Sequence, residues 1–111
     1  TTRLMLRTRN SDLWTTQPDT FDDRFVGVSL AAARWIVERG IQLVGIDYLS
    51  VGPFHTTGVE THLELLGNGV ICVEGLDLRE IEQGRYELLC FPLLIRDGDG
   101  APARVALRGP L

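Results

Sequence analysis

The sequence predicts a mixed α/β fold, with a partly parallel sheet and a few short helices, and three observations predict it. Segments with strand-like and helix-like apolar spacing alternate along the chain, the arrangement from which parallel α/β sheets are built. Residues 41–47 (IQLVGID) are apolar almost throughout, as a strand covered on both faces must be. Near the end, two further strand-like segments are joined by Asp97-Gly98-Asp99-Gly100, a turn that returns the chain antiparallel.

The elements follow in order. Residues 3–9 alternate, with Leu4, Leu6 and Thr8 on one side and Met5, Arg7 and Arg9 on the other, so they read as a strand. Residues 10–23 are rich in Asn, Ser, Asp, Thr and Pro without a period and read as a long loop, yet they carry Trp14 and Phe21. Ser29 is placed to cap a helix over residues 30–39, and Gly40 to end it in a left-handed conformation. Leu30, Ala33, Ile36 and Val37 share one arc of that helix and form its core face. Trp35 falls outside the arc, where it suits a neighbouring groove or an interface.

After the strand at 41–47 comes a loop, 50–59, containing Gly52, Pro53 and Gly58. A short helix over 60–66 follows, closed by Gly67-Asn68-Gly69. Residues 70–74 read as a second buried strand, and Asp77 as the cap of a helical turn through Ile81. Residues 86–95 form a long strand interrupted at Pro92, which implies an edge or a bend there. Residues 103–108 form the last strand.

Composition bounds the function. The 111 residues suit one domain, 1–111, and a hydrophobic share of 44% excludes intrinsic disorder. No apolar run approaches the ~20 residues that a membrane helix needs, and no secretory leader opens the sequence. With 15 acids against 11 bases, the net charge is −4 and the bases are not clustered, so neither nucleic acid nor a membrane is an expected partner. Cys72 and Cys90 stand 18 residues apart in apolar runs, unlike a redox pair or a zinc knuckle. They read as buried, reduced thiols, which points to a cytoplasmic protein.

Two segments of strand character end in a carboxylate, Asp47 and Glu74. In parallel sheets, ligands gather at the carboxyl ends of strands. His62 lies on the helix feeding the Glu74 strand, and Ser50 and His55 lie in the loop after Asp47. Both histidines and both carboxylates are therefore expected to converge on one edge. Imidazole and carboxylate together suit zinc or manganese. The competing reading has Asp47 and Glu74 hydrogen-bonding neighbouring loops, with His62 solvated.

Residues 4–11 (LMLRTRNS) and 35–50 (WIVERGIQLVGIDYLS), then 61–66 (THLELL) and 69–76 (GVICVEGL), resemble the cyclase family of metal-dependent hydrolases. That family includes bacterial kynurenine formamidases and isatin hydrolases. The likeness continues through 89–94 (LCFPLL) and 100–104 (GAPAR). It implies half of a swivelling β/β/α domain that hydrolyses small amides or lactams with a bound divalent metal. It also implies that His62 and Glu74 are catalytic residues lining the metal site.

Two features depart from the family pattern. The signature His-x-Gly-Thr-His-x-Asp-x-Pro, which supplies the family's primary ligands, does not occur in these 111 residues. Gly52 also stands where many members carry aspartate. The chain is thus expected to match the C-terminal half of an arylformamidase-like hydrolase. It would be inactive alone, bind zinc or manganese weakly, and depend on a missing N-terminal half. The alternative is a non-catalytic interaction module that forms a homo-oligomer, because a sheet cut mid-domain leaves an uncovered edge.

Overall fold

The central strand is β2, Leu43–Ile46, every residue of which is buried. It pairs in parallel with β1, Arg3–Leu6, on one side and with β3, Ile71–Val73, on the other. These elements come from a computed structural model that describes residues 1–111. The chain divides into two compact units, Thr1–Glu80 and Ile81–Leu111.

In the first unit, β1 leads to a 3-10 turn, Arg9–Asp12, and a one-turn helix α1, Leu13–Thr16. The crossover to β2 runs through α2, Leu30–Glu38, and that to β3 through α3, Gly58–Gly67. Both crossovers step the same way along the order β1-β2-β3. Right-handed connections therefore put α2 and α3 on the same face of the sheet. Register explains the core. Leu4, Val44 and Cys72 lie in one row, and the first two pack with Ile46, Ala33, Ile36, Val51 and Leu65 beneath the helices. Burying each aliphatic side chain of this kind contributes about 1.5–3 kcal/mol.

Ser29 caps α2 as expected, its hydroxyl accepting the Ala32 N–H at 3.2 Å. Gly40 has φ +68° just beyond the helix. Ala33 and Ile36 are buried, while Trp35 stays outside the core with the Arg39 guanidinium 5.3 Å from its ring centroid.

Several expectations needed correction. The first strand ends at Leu6, not at residue 9, because the Thr8 hydroxyl accepts from the Asn10 N–H and starts the 3-10 turn. The loop expected at 10–23 therefore begins with two helical turns. β3 is not buried on both faces: it is the edge of its sheet, and Ile71 is 59% exposed. Asp77 caps no helix. Its carboxylate accepts from the Arg79 backbone at 3.2 Å and clasps the guanidinium.

In the second unit, β4, Glu87–Pro92, and β5, Ala103–Arg108, form their own antiparallel pair. The antiparallel return is thus a separate two-stranded sheet. β4 ends at Pro92; the next residue still gives its N–H to the Pro102 carbonyl at 3.0 Å, but Pro102 has no N–H to return and the ladder stops there. The turn between the strands holds Asp97 at φ +56°, a left-handed position that aspartate tolerates. Neither cysteine is fully buried, and both are free thiols. No helix is long and apolar enough to cross a membrane.

Candidate functional site

Parallel pairing of β2 with β3 puts the residues that follow them, Asp47 and Glu74, at the same end of the sheet, but their side chains do different things. Asp47 is completely buried. Its Oδ2 accepts the Thr8 N–H at 2.7 Å, the Ser11 N–H at 3.0 Å and the Ser11 hydroxyl at 2.7 Å. Its Oδ1 accepts the Thr8 hydroxyl at 2.9 Å and the Asn10 amide at 3.5 Å. The entry to the 3-10 turn offers the N–H groups and hydroxyls of Thr8 and Ser11, and the carboxylate accepts from all four. Asp47 therefore anchors the segment after β1 and faces no histidine. Asn10 extends the anchor: its amide donates to the Val26 carbonyl at 2.8 Å, and its oxygen accepts the Val26 N–H at 2.7 Å.

Glu74 turns the other way. Its Oε1 accepts the Val51 N–H at 2.8 Å and lies 3.3 Å from His62 Nε2. The opposite ring nitrogen of His62, Nδ1, lies 2.6 Å from the Gly58 carbonyl oxygen. A carbonyl only accepts, so Nδ1 carries a proton. In a neutral ring, the Nε2 lone pair then faces a carboxylate oxygen. Two acceptors at that distance repel each other, and a cation between them, proton or metal, removes the conflict. Both side chains are about one-third exposed, so an ion from solvent can reach them.

Local folding sets this pair. The buried Thr61 hydroxyl donates to the Val28 carbonyl at 3.0 Å and ties α3 to the entry of α2. The Val28 N–H in turn donates to the Val51 carbonyl at 2.7 Å. The loop whose N–H holds Glu74 is thus fixed by the helix that presents His62. Ser50 stiffens that loop, its hydroxyl accepting the Gly52 N–H at 3.3 Å.

His55 does not join the pair. Its Nε2 lies 2.8 Å from Asp23 Oδ2, bridging two loops. Of the four residues expected on one edge, the structure brings together His62 and Glu74 alone. In kind, an imidazole nitrogen and a carboxylate oxygen fit a borderline divalent ion. In number they are two, and no group of three His, Cys, Asp or Glu side chains is assembled in the chain. Cys72 adds no nucleophile: burial, and then the Glu74 charge, push its thiol up to about 11.

An aromatic cluster went unread in the sequence. Tyr48 is buried beside Trp14, Phe25 and Phe21, with ring centroids 5.6, 5.3 and 6.1 Å away. Phe54 closes on Phe21 edge-on at 5.3 Å. The signal available was the presence of Trp14 and Phe21 in a segment otherwise composed like a solvated linker.

Comparison with known proteins gives this geometry a context. The cyclase family model matches residues 1–53. The chain is 43% identical over 107 residues to cyclase-like protein 3 of Oryza sativa, a match covering 95% of this chain and 39% of that protein. It is 39% identical over 90 residues to a kynurenine formamidase of Salinibacter ruber, covering 81% of this chain and 42% of the relative. Among solved structures, that of a potential metal-dependent hydrolase with cyclase activity superposes with a TM-score of 0.78 at 38% identity, over 93% of this chain and 48% of the other. The chain thus spans about half the length, or somewhat less, of the proteins it matches. By its sequence match over residues 1–53 and by its fold, the chain is similar to members of the cyclase family.

Proposed function

We propose that this chain supplies His62 and Glu74 to the metal site of an amide hydrolase, and that polypeptide outside the 111 residues supplies the remaining ligands. The observation that carries the reading is the facing of His62 Nε2 and Glu74 Oε1 across 3.3 Å, with the far side of the imidazole already engaged. Metal-bound histidines characteristically give their other N–H to a carbonyl or carboxylate, which orients the ring. Glu74 is oriented in the same way by the Val51 N–H.

When bound, a divalent ion lowers the pKa of its water toward neutrality and polarises a carbonyl. The chain's own part is to present two donors at fixed positions. Two donors leave an ion mostly solvated, whereas three protein ligands are usual for a catalytic zinc. The relatives that include kynurenine formamidase are about twice as long, in keeping with a site completed from elsewhere. A small aryl formamide is the substrate class that these relatives suggest.

The test is hydrolysis of N-formylkynurenine with added zinc. The chain alone is expected to be inactive. Activity is expected when a polypeptide bearing the His-x-Gly-Thr-His-x-Asp-x-Pro segment is added, and that activity is expected to be lost in His62→Ala. Complemented activity equal in wild type and His62→Ala would overturn the assignment.

A further inference from the structure

We propose that Gly52 and Gly58 are positioning residues for His62: their close packing holds the neutral imidazole as its Nδ1–H tautomer, with the Nε2 lone pair turned toward Glu74. The proposal deepens the metal-site reading and rests on it for its purpose. The tautomer itself is a property of the metal-free chain.

Distances decide between the two neutral forms. With the proton on Nε2, the Nδ1 lone pair would oppose the Gly58 carbonyl oxygen at 2.6 Å. With the proton on Nδ1, the opposed pair is Nε2 and Glu74 Oε1 at 3.3 Å. Repulsion between lone pairs is far worse at the shorter separation, and the shorter contact becomes a hydrogen bond once Nδ1 carries the proton.

The glycines make that short contact possible. A Cβ on Gly52 would lie 2.7 Å from the Gly58 carbonyl oxygen, 2.9 Å from Gly58 Cα and 2.9 Å from His62 Cε1. One added methyl would press at once on the acceptor and on the ring. A Cβ on Gly58 would press on the Pro53 carbonyl oxygen, which belongs to the same loop. Neither glycine is among those with positive φ, so space and not backbone conformation excludes a side chain at both positions. The loop at 52–53 and the first turn of α3 thus meet backbone to backbone, with His62 held at the contact.

His55 provides an internal contrast. Its Nε2 faces a carboxylate oxygen of Asp23 at 2.8 Å, so its neutral form carries the proton on Nε2. The chain's two histidines are therefore of opposite tautomer.

Two-bond proton–nitrogen correlation spectra of the metal-free, nitrogen-15-labelled chain at alkaline pH test this directly. The expected result is the Nδ1–H pattern for His62 and the Nε2–H pattern for His55. Gly52→Ala and, as a second variant, Gly58→Ala are each expected to shift His62 away from the Nδ1–H pattern and to leave His55 unchanged. Each is also expected to weaken zinc binding about 10- to 100-fold, the usual consequence of disturbing a group that orients a ligand. Gly67→Ala, at the far end of α3 with nothing within 4 Å of the new methyl, is expected to match wild type in both measurements.

An Nε2–H pattern for His62 in the wild-type chain would overturn the proposal, whether or not either variant folds and even if zinc binds. An unchanged His62 pattern in both folded variants would also overturn it. An Nδ1–H pattern lost in the variants, without zinc binding by wild type, would support the proposal and remove the metal-site reading.

Discussion

Ser11 gives both of its donors to Asp47, the backbone N–H at 3.0 Å and the hydroxyl at 2.7 Å to the same Oδ2. Thr8 brings two more, so a wholly buried carboxylate gathers the chain just after β1. Asp47→Ala would take the acceptor from the Thr8 N–H and from the hydroxyls of Thr8 and Ser11, and would leave the Ser11 N–H only the Thr8 carbonyl at 3.3 Å, each lost partner at about 1–3 kcal/mol. A loss of about 3 kcal/mol or more in urea unfolding is therefore expected. Asp47→Asn should lose less, since one acceptor oxygen survives. A loss below about 1 kcal/mol for the alanine variant would show that the anchor is dispensable.

The Ser29 hydroxyl at the start of α2 supports a prediction of a different size. It satisfies one N–H of an exposed helix terminus, so Ser29→Ala should cost about 1 kcal/mol and Ser29→Asp almost nothing. Equal stability of wild type and the alanine variant would contradict the capping role.

The Asp77–Arg79 clasp should be visible in acid. The Arg79 guanidinium, with help from its backbone N–H, lowers the Asp77 carboxyl from the ordinary 3.8 to about 2. A carboxylate depressed in this way stabilises the fold fully above the ordinary value and ceases to do so as pH falls through about 2. The carboxyl carbon of Asp77 should thus titrate with a midpoint near 2, and in Arg79→Ala at a higher pH, though still below the ordinary value because the backbone N–H remains. A wild-type midpoint near 4 would mean that the clasp does not persist in solution. The pair is solvent-exposed, so the effect belongs to titration and hardly at all to unfolding.

Elements specified by local spacing and capping were legible in the sequence: α2 with its serine cap and glycine exit, the buried strand β2, and β5 to the residue. Elements decided by tertiary partners were less so. The residues of β3 are as apolar as those of a buried strand, and only the sheet order makes β3 an edge. Asp47 and Glu74 both follow parallel strands, yet their roles diverge because donors from the β1 exit reach only Asp47. The segment containing Thr8, Asn10 and Ser11 reads as a polar loop until Asp47 gives its donors a common acceptor. The glycines at 52 and 58 look like ordinary loop punctuation. Their spacing has meaning only once His62 is seen against them.

As proposed above, His62 and Glu74 together hold part of a metal site. Zinc calorimetry on wild type, His62→Ala and Glu74→Ala tests it most directly. Wild type should give a weak isotherm, as expected when two protein ligands leave the ion mostly hydrated, and both variants should give none. Identical isotherms for wild type and His62→Ala would contradict the claim.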